Sequence, residues 1–354
     1  MKLSLVMAQK LQSIYIEPTM LEGIEEYLLK VSRLKLKLEI QLYLKQRTIP
    51  IKWGVEYKLK YTNNQNIPDE IIRAVHNDSY SKGASTMSVT GLLAPPRIRL
   101  LKEEHDAEIT VDVSNEIWKL LGQSVHTILE RANEGNKDTL TEERMFAKVN
   151  GWTISGQTDS ISLGTNTLKD YKVTSVWSVM SAMKDGKIEW EQQLNCYDWL
   201  LRQNYPEITI DQLNIITINR DWSKNQMLRS GDDYPKSPVS VIPIPKWSEE
   251  EQEEFIKQRV SIHQDAEADY LISKTLPLCS DAEVWRRKDA YRVMKKGRKS
   301  ALRVLDTQEL ADEFLGGHDD KKILNIEFLK GECIRCKDYC DVAEFCDQYK
   351  RENL

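Results

Sequence analysis

The chain has 354 residues, 40% hydrophobic and 30% charged, with few glycines and prolines; this excludes fibrous and disordered classes and leaves enough chain for a sizeable core. A net charge of −5 excludes a generic polycation, so nucleic acid would have to be met by local basic charge, and a strongly acidic site masked by metal ions. No stretch approaches the roughly 20 apolar residues that span a bilayer, and the opening MKLSLVMAQKLQ has no signal-peptide cleavage site, so no membrane partner and a cytoplasmic location are expected.

Taken in chain order, residues 1–55 read as one or two amphipathic helices, with Leu, Ile and Tyr interleaved with Lys and Glu through Met20–Lys45. They form a helical N-terminal extension without an assigned role. Ser88–Val89–Thr90 ahead of Pro95–Pro96 predicts an extended run and a turn. Asp112–Ala132 predicts a helix whose apolar face holds Ile117, Leu120, Leu121, Val125, Ile128 and Leu129. Val149–Ser175 reads as strands turning at Gly164–Thr165–Asn166. Ile188–Arg202 is helical, and Leu213–Asn219 is a short apolar strand. Helices are expected from Ser248 to about Tyr270 and again through 281–315. The pattern predicts an α/β fold: a mixed sheet core over 56–246 flanked by helices, then a helical region over 247–354 with a cysteine-rich tail.

Folded about Gly164–Thr165, the residue numbers across the hairpin sum to 329, which sets Asp159 opposite Asp170. Opposed side chains share a face, with Cβ atoms about 4.5–5.5 Å apart. Two like charges there repel unless a divalent cation lies between them. Lys172, two residues beyond Asp170, points to the same face. Two carboxylates and an ammonium suit phosphodiester hydrolysis, which needs a metal-activated water and a counter-charge for the phosphate.

GWTISGQTDSI followed by LKDYKVTS resembles motifs II and III of the PD-(D/E)xK nuclease superfamily in its RecB-like branch. That branch also carries G-x-x-x-H upstream and Q-x-x-x-Y downstream, and Gly122–His126 and Gln193–Tyr197 match these in order. Glu143 matches the glutamate that usually falls between histidine and hairpin. The resemblance implies a restriction-endonuclease-like core. It implies Mg²⁺ or Mn²⁺ ligation by His126, Asp159, Asp170 and the carbonyl of Val173, with Lys172 as catalytic lysine. Gln193 and Tyr197, one helical turn apart, would then face the site and orient the lysine or the DNA backbone.

Six cysteines occur, at 196, 279, 333, 336, 340 and 346, and four crowd into the last 22 residues. Such crowding suits a metal or cluster site rather than disulfides in a chain without secretory features. The tail is similar to that of CRISPR-associated and AddB-type RecB-like nucleases, which implies a [4Fe–4S] cluster, with Zn²⁺ as the alternative. Two ligand sets are open: Cys333, Cys336, Cys340 and Cys346, or Cys279 with Cys336, Cys340 and Cys346. Cys196 reads as packing.

Arg286–Arg303 holds nine Lys/Arg and one Asp, behind an acidic segment over Ser248–Tyr270. It suggests a phosphate track through Arg286, Arg287, Lys295, Lys296, Arg298 and Lys299, with Trp285 and Tyr291 placed to stack on bases. Over Ile67–Lys350 the chain resembles compact RecB-like nucleases of bacteriophage genomes. That implies an exonuclease acting on single- or double-stranded DNA ends, with a helicase or recombination partner. The alternatives are a junction-resolvase-like endonuclease and a non-catalytic DNA-binding module.

Overall fold

The computed structural model describes residues 31–32, 34–39, 60–77, 83–318 and 323–352. Within the N-terminal extension, 31–32 and 34–39 are helical, and Lys37 pairs with Asp269 at 2.7 Å. The remainder of 1–55 lies outside the described residues.

The chain is a mixed α/β protein built on a six-stranded sheet. Its strands are β1 (Met87–Ser88), β2 (Thr139–Val149), β3 (Trp152–Ser162), β4 (Thr167–Thr174), β5 (Gln212–Asn219) and β6 (Val239–Ile244). The path runs β1–β3–β4–β5–β6, and β2 pairs with β3. Asn150 and Gly151, at φ 48° and 83°, make the two-residue turn that joins β2 to β3. Asn-Gly suits that turn because both central residues need positive φ. β3 and β4 pair as Ser160↔Lys169, Ile161↔Leu168 and Ser162↔Thr167, the register expected from the sequence.

One edge of β3 pairs with β2 along most of its length. The other edge is shared: β1 takes Ile154 and Ser155, and β4 takes Ser160 to Ser162. Between these contacts, residues 156–159 have no strand on that side. A cleft opens at this break, and its floor includes Gly156, Gln157 and Asp159.

Among the helices are α1 (Val89–Leu93), α2 (Pro96–His105), α3 (Ile117–Ala132), α4 (Val176–Asp185), α5 (Ile188–Asn204) and α6 (Glu249–Ser273). α5 crosses the sheet and buries Leu194, Tyr197, Leu200 and Leu201 in the main core. It can approach closely because β3 has glycine at 156: a Cβ there would lie 2.6 Å from Leu200 Cδ1 and 2.9 Å from the Tyr197 ring. A polar lock ties α5 to α6. Gln252 Nε2 donates to Asn195 Oδ1 at 3.1 Å and to Asp198 Oδ2 at 2.9 Å, and Arg202 donates to Gln252 Oε1 at 2.8 Å. The amphipathic helix expected over 112–132 begins later, after a strand at Thr110–Asp112 and a 3₁₀ turn at Val113–Glu116. No residue of α3 is fully buried, and Leu121 and Ile128 are exposed.

α6 also fixes α1, whose first turn lines the cleft. The ring of His263 is fully buried, with Nε2 3.0 Å from Leu92 O and Nδ1 accepting from Arg99 Nε at 3.2 Å. That pattern requires a neutral imidazole. Burial, with Arg99 and Arg259 adding to it, pushes the His263 pKa down to about 3. As pH falls below about 6.5, the unfolded chain takes up a proton that the folded ring refuses. Stability should therefore drop by up to about 1.4 kcal/mol per pH unit until the folded pKa is reached. Urea unfolding at pH 7 and pH 5 tests this: wild type should lose stability more steeply than His263→Gln, and equal slopes refute the assignment.

The C-terminal region departs from the all-helical expectation. The stretch 281–315 contributes β7 (Ala290–Lys295) and β8 (Arg303–Leu305), which pair antiparallel. β9 (Leu324–Leu329) pairs on the other side of β7, and only Gln308–Gly316 is an α-helix in 281–315. The reason is visible in the residues: Tyr291 and Val293 alternate with Arg292 and Met294, a period of two, and Gly297 at φ 84° turns the chain. Tyr291 and Val293 pack in a separate small core with Leu305, Ala311 and Leu324.

Candidate metal centre and cysteine pocket

The cleft has a volume of about 800 Å³, and five of the elements that line it supply its candidate groups. β3 gives Asp159 and Gln157, β4 gives Asp170 and Lys172, α3 gives His126, α5 gives Gln193 and Tyr197, and β2 gives Glu142 and Arg144.

His126 stands between two carboxylates. Its Nδ1 lies 3.3 Å from Asp159 Oδ1 and 3.5 Å from Glu142 Oε1, while Nε2 lies 3.2 Å from Tyr171 O. With acceptors at both nitrogens, the ring carries two protons, and a cation bound at Nδ1 would displace the one there. Hydrogen bonds to Asp159 and then Glu142 push its pKa up to about 10, against the effect of burial. The imidazolium thus supplies positive charge where two carboxylates converge. Asp159 Oδ2 accepts from Tyr171 N at 2.6 Å, which pins that carboxylate at the point where β3 and β4 part.

Asp170 is nearly inaccessible, at 2% exposure. Its Oδ1 accepts from Gln193 Nε2 at 3.3 Å. Its Oδ2 has the Lys172 ammonium at 2.7 Å but no well-aligned hydrogen bond, so it remains an under-satisfied buried acceptor. Burial pushes the Asp170 carboxyl up to about 6, with Lys172 opposing the rise. Gln193 Nε2 also lies 2.9 Å from the Tyr197 hydroxyl, so the two α5 residues one turn apart both reach the site.

The ligating atoms of His126, Glu142 and Asp159 lie within 4.8 Å of one another. One nitrogen and carboxylate oxygens, with an unsatisfied oxygen of Asp170 nearby, form a donor set that fits a divalent cation such as Mg²⁺ or Mn²⁺. Glu142 is the residue the sequence reading does not single out. Glu143, which it selects instead, accepts from the Tyr205 hydroxyl and does not line the cleft. The ladder explains the choice. β2 and β3 pair at Thr141↔Ser160 and Glu143↔Thr158, leaving Glu142 out of the ladder with a left-handed φ of 51°. Val173 sits in β4 beside Ile218, and the carbonyl closest to His126 belongs to Tyr171.

A second pocket lies at the C-terminal end. Cys279, Cys336, Cys340 and Cys346 all line it, together with the buried side chain of Arg97. Cys333 does not line it; its Sγ lies 2.7 Å from Glu352 Oε2. Burial pushes the Cys279 thiol up to about 12 and that of Cys336 to about 11, and neighbouring cysteines add to both rises. Arg97 donates to Leu276 O at 3.0 Å and Pro277 O at 2.8 Å, approaches Cys346 Sγ at 3.6 Å, and pairs with Asp347. It thus ties α2 to the segment before Cys279 and to the tail. Among the described residues, only His126, Glu142 and Asp159 bring three ligating atoms within 4.8 Å, so no three cysteine sulfurs meet that spacing.

The basic run occupies the β7–β8 hairpin. Lys296, Arg298 and Lys299 are exposed in its turn, and Lys295 ends β7. Arg286 is engaged by Asp281 and Glu352, and the Arg287 backbone N–H donates to Glu332 O at 3.0 Å. Trp285 packs edge-on against Tyr339 at 5.3 Å, and Tyr291 lies 5.4 Å from Phe328. None of the residues that line the cleft comes from this hairpin. No described helix is long and apolar enough to cross a membrane.

No protein-family model matches the chain, and no curated protein matches it. Among solved structures, that of SSO0001 is similar over 54% of this chain and 84% of its own, at 20% identity and a TM-score of 0.37. A likeness at that level carries no argument about fold or function.

Proposed function

We propose that the chain is a metal-dependent deoxyribonuclease with a restriction-endonuclease-like core, acting as an exonuclease on DNA ends. One observation carries the reading: His126, Glu142, Asp159, Asp170 and Lys172 converge on a single open cleft from four elements, α3, β2, β3 and β4. A lone lysine beside buried carboxylates is a common ion pair. A lysine next to a three-ligand group, in an open cleft of about 800 Å³, is a much narrower specification.

His126, Glu142 and Asp159 would hold the divalent ion, with a carboxylate oxygen of Asp170 as a further donor. When bound, such an ion lowers the pKa of a water and draws charge from the phosphate. The remaining work falls to the chain's own residues. Lys172 presents its ammonium where charge builds on the phosphate oxygens. Asp170 holds that ammonium, and Gln193, steadied by Tyr197, holds Asp170. The backbone N–H of Tyr171 fixes the other carboxylate, Asp159. The exposed Lys296, Arg298 and Lys299 are proposed to contact DNA phosphates away from the cleft. Arg286 is the weakest candidate there, because two carboxylates already neutralise it.

For the second pocket we propose a [4Fe–4S] cluster held by Cys279, Cys336, Cys340 and Cys346. Their shared pocket supports this set over one that includes Cys333. Tetrahedral zinc, with Zn–S bonds of about 2.3 Å, needs sulfurs roughly 3.8 Å apart. The cluster is preferred over zinc on the resemblance of the tail to those of RecB-like nucleases.

End-labelled linear DNA and closed circular single-stranded DNA, each with Mg²⁺, Mn²⁺ or EDTA, test the nuclease reading. Linear strands should be degraded only with metal, and closed circles should survive. Cutting of circles would instead identify a structure-selective endonuclease. DNA binding without degradation under any metal would identify a non-catalytic module and overturn the proposal.

A further inference from the structure

Two cleft residues, Arg144 and Gln157, stand beside the three-ligand group without belonging to it. They face each other as a ladder pair of β2 and β3. Gln157 Nε2 donates to Glu142 Oε2 at 2.7 Å. At the other end of the same amide, Gln157 Oε1 accepts from Arg144 Nη2. The carbonyl end thus meets a guanidinium, and the NH₂ end meets a carboxylate. Charge settles the orientation of the amide, since a flipped one would set acceptor against acceptor and donor against donor.

Glu142 needs such support. It holds a left-handed φ of 51° without being glycine, a conformation that persists only where its surroundings enforce it. One carboxylate oxygen, Oε1, faces His126 Nδ1 at 3.5 Å. The other is the one Gln157 holds. The route from Arg144 to Glu142 is therefore one continuous chain of hydrogen bonds with a single polarity, from cation through amide to anion.

We propose that Arg144 acts through Gln157 to position the Glu142 carboxylate for a divalent cation, so that this pair sets the metal affinity of the cleft although neither side chain is a ligand. The inference rests on the reading of His126, Glu142 and Asp159 as the metal group. Both residue types follow from this role. Gln157 must accept at one end and donate at the other, and Arg144 must be a donor that stays charged. Groups that orient metal ligands in this way typically affect affinity by 10–100-fold.

The test is Mn²⁺ titration of the full chain, following free Mn²⁺ by electron paramagnetic resonance, without DNA. Arg144→Met and Gln157→Leu should each weaken Mn²⁺ binding by about 10–100-fold. Because Arg144 acts through Gln157, the double variant should be no weaker than Gln157→Leu alone. Arg144→Lys, which still donates to Oε1, should recover most of the affinity. If Gln157→Leu does not fold, Gln157→Asn, whose amide is too short to span both partners, should show the same loss. Unchanged Mn²⁺ affinity in Arg144→Met, with a raised KM for DNA, would make Arg144 a phosphate contact and overturn the relay. Additive losses in the double variant would overturn it as well. A wild-type chain that binds no Mn²⁺ would overturn the metal reading together with this one, and the variants alone cannot produce that result.

Discussion

Alanine at Lys172 should lower metal-dependent DNA cleavage by about 10²–10³-fold, the usual effect of removing a charge-stabilising donor at a developing anion. The loss should fall on kcat with little change in KM, because the ammonium is placed for the charge that builds during reaction. Asp170→Asn should cost at least as much. It removes the anion that holds Lys172 at 2.7 Å and also one candidate oxygen for the metal. Gln193→Ala should be milder, since Gln193 acts on Asp170 across a single 3.3 Å contact. Single-turnover cleavage of end-labelled DNA with Mn²⁺ measures all three. Full activity in Lys172→Ala would place the chemistry elsewhere in the cleft. Full activity in Asp170→Asn would remove the hairpin from the mechanism.

The second large effect concerns the cysteines. Cys279→Ser should strip bound iron and visible absorbance from the purified protein, whereas Cys333→Ser should leave both near wild-type levels. The pocket dictates the contrast: Cys279 shares it with Cys336, Cys340 and Cys346, while Cys333 faces Glu352. Stability should follow metal content. A link between Cys279 and the tail closes a long loop, and cross-links of that length are worth roughly 4 kcal/mol in the chain-entropy account. Loss of the cluster should therefore destabilise the C-terminal region, detectable as a lower unfolding midpoint in Cys279→Ser than in Cys333→Ser. Iron lost with Cys333→Ser and retained with Cys279→Ser would reverse the ligand assignment. Stoichiometric zinc in colourless wild-type protein would replace the cluster.

Several elements of both sites were legible because their information is local. The turn at Gly164–Thr165 set the register of β3 and β4, and the observed pairs keep it. The four-residue spacing of Gln193 and Tyr197 placed both on one side of a helix, and both reach Asp170 or each other. The turn at Asn150–Gly151 went unread, because the strand ahead of it, rich in Glu, Arg and Lys, lacks the apolar alternation that announces a strand. The basic run was legible as charge but not as structure. Its short two-residue periodicity over Tyr291–Met294 is masked by the lysines and arginines around it.

The sequence by itself determined the hairpin that carries Asp159, Asp170 and Lys172, its register, and the presence of a cysteine-rich tail. Only the tertiary structure decided between neighbours that look equivalent in the text. Glu142 and Glu143 are adjacent, so strand alternation requires that one point away; the β2–β3 register sets Glu142 opposite Asp159 and so selects it. Cys279 and Cys333 are both plausible fourth thiols; the contacts of Arg97 with Leu276, Pro277 and Cys346 bring the Cys279 segment to the pocket. For the cysteines the deciding contacts join residues far apart in the chain. Local periodicity carries no record of such contacts, because they exist only once the core has closed around them.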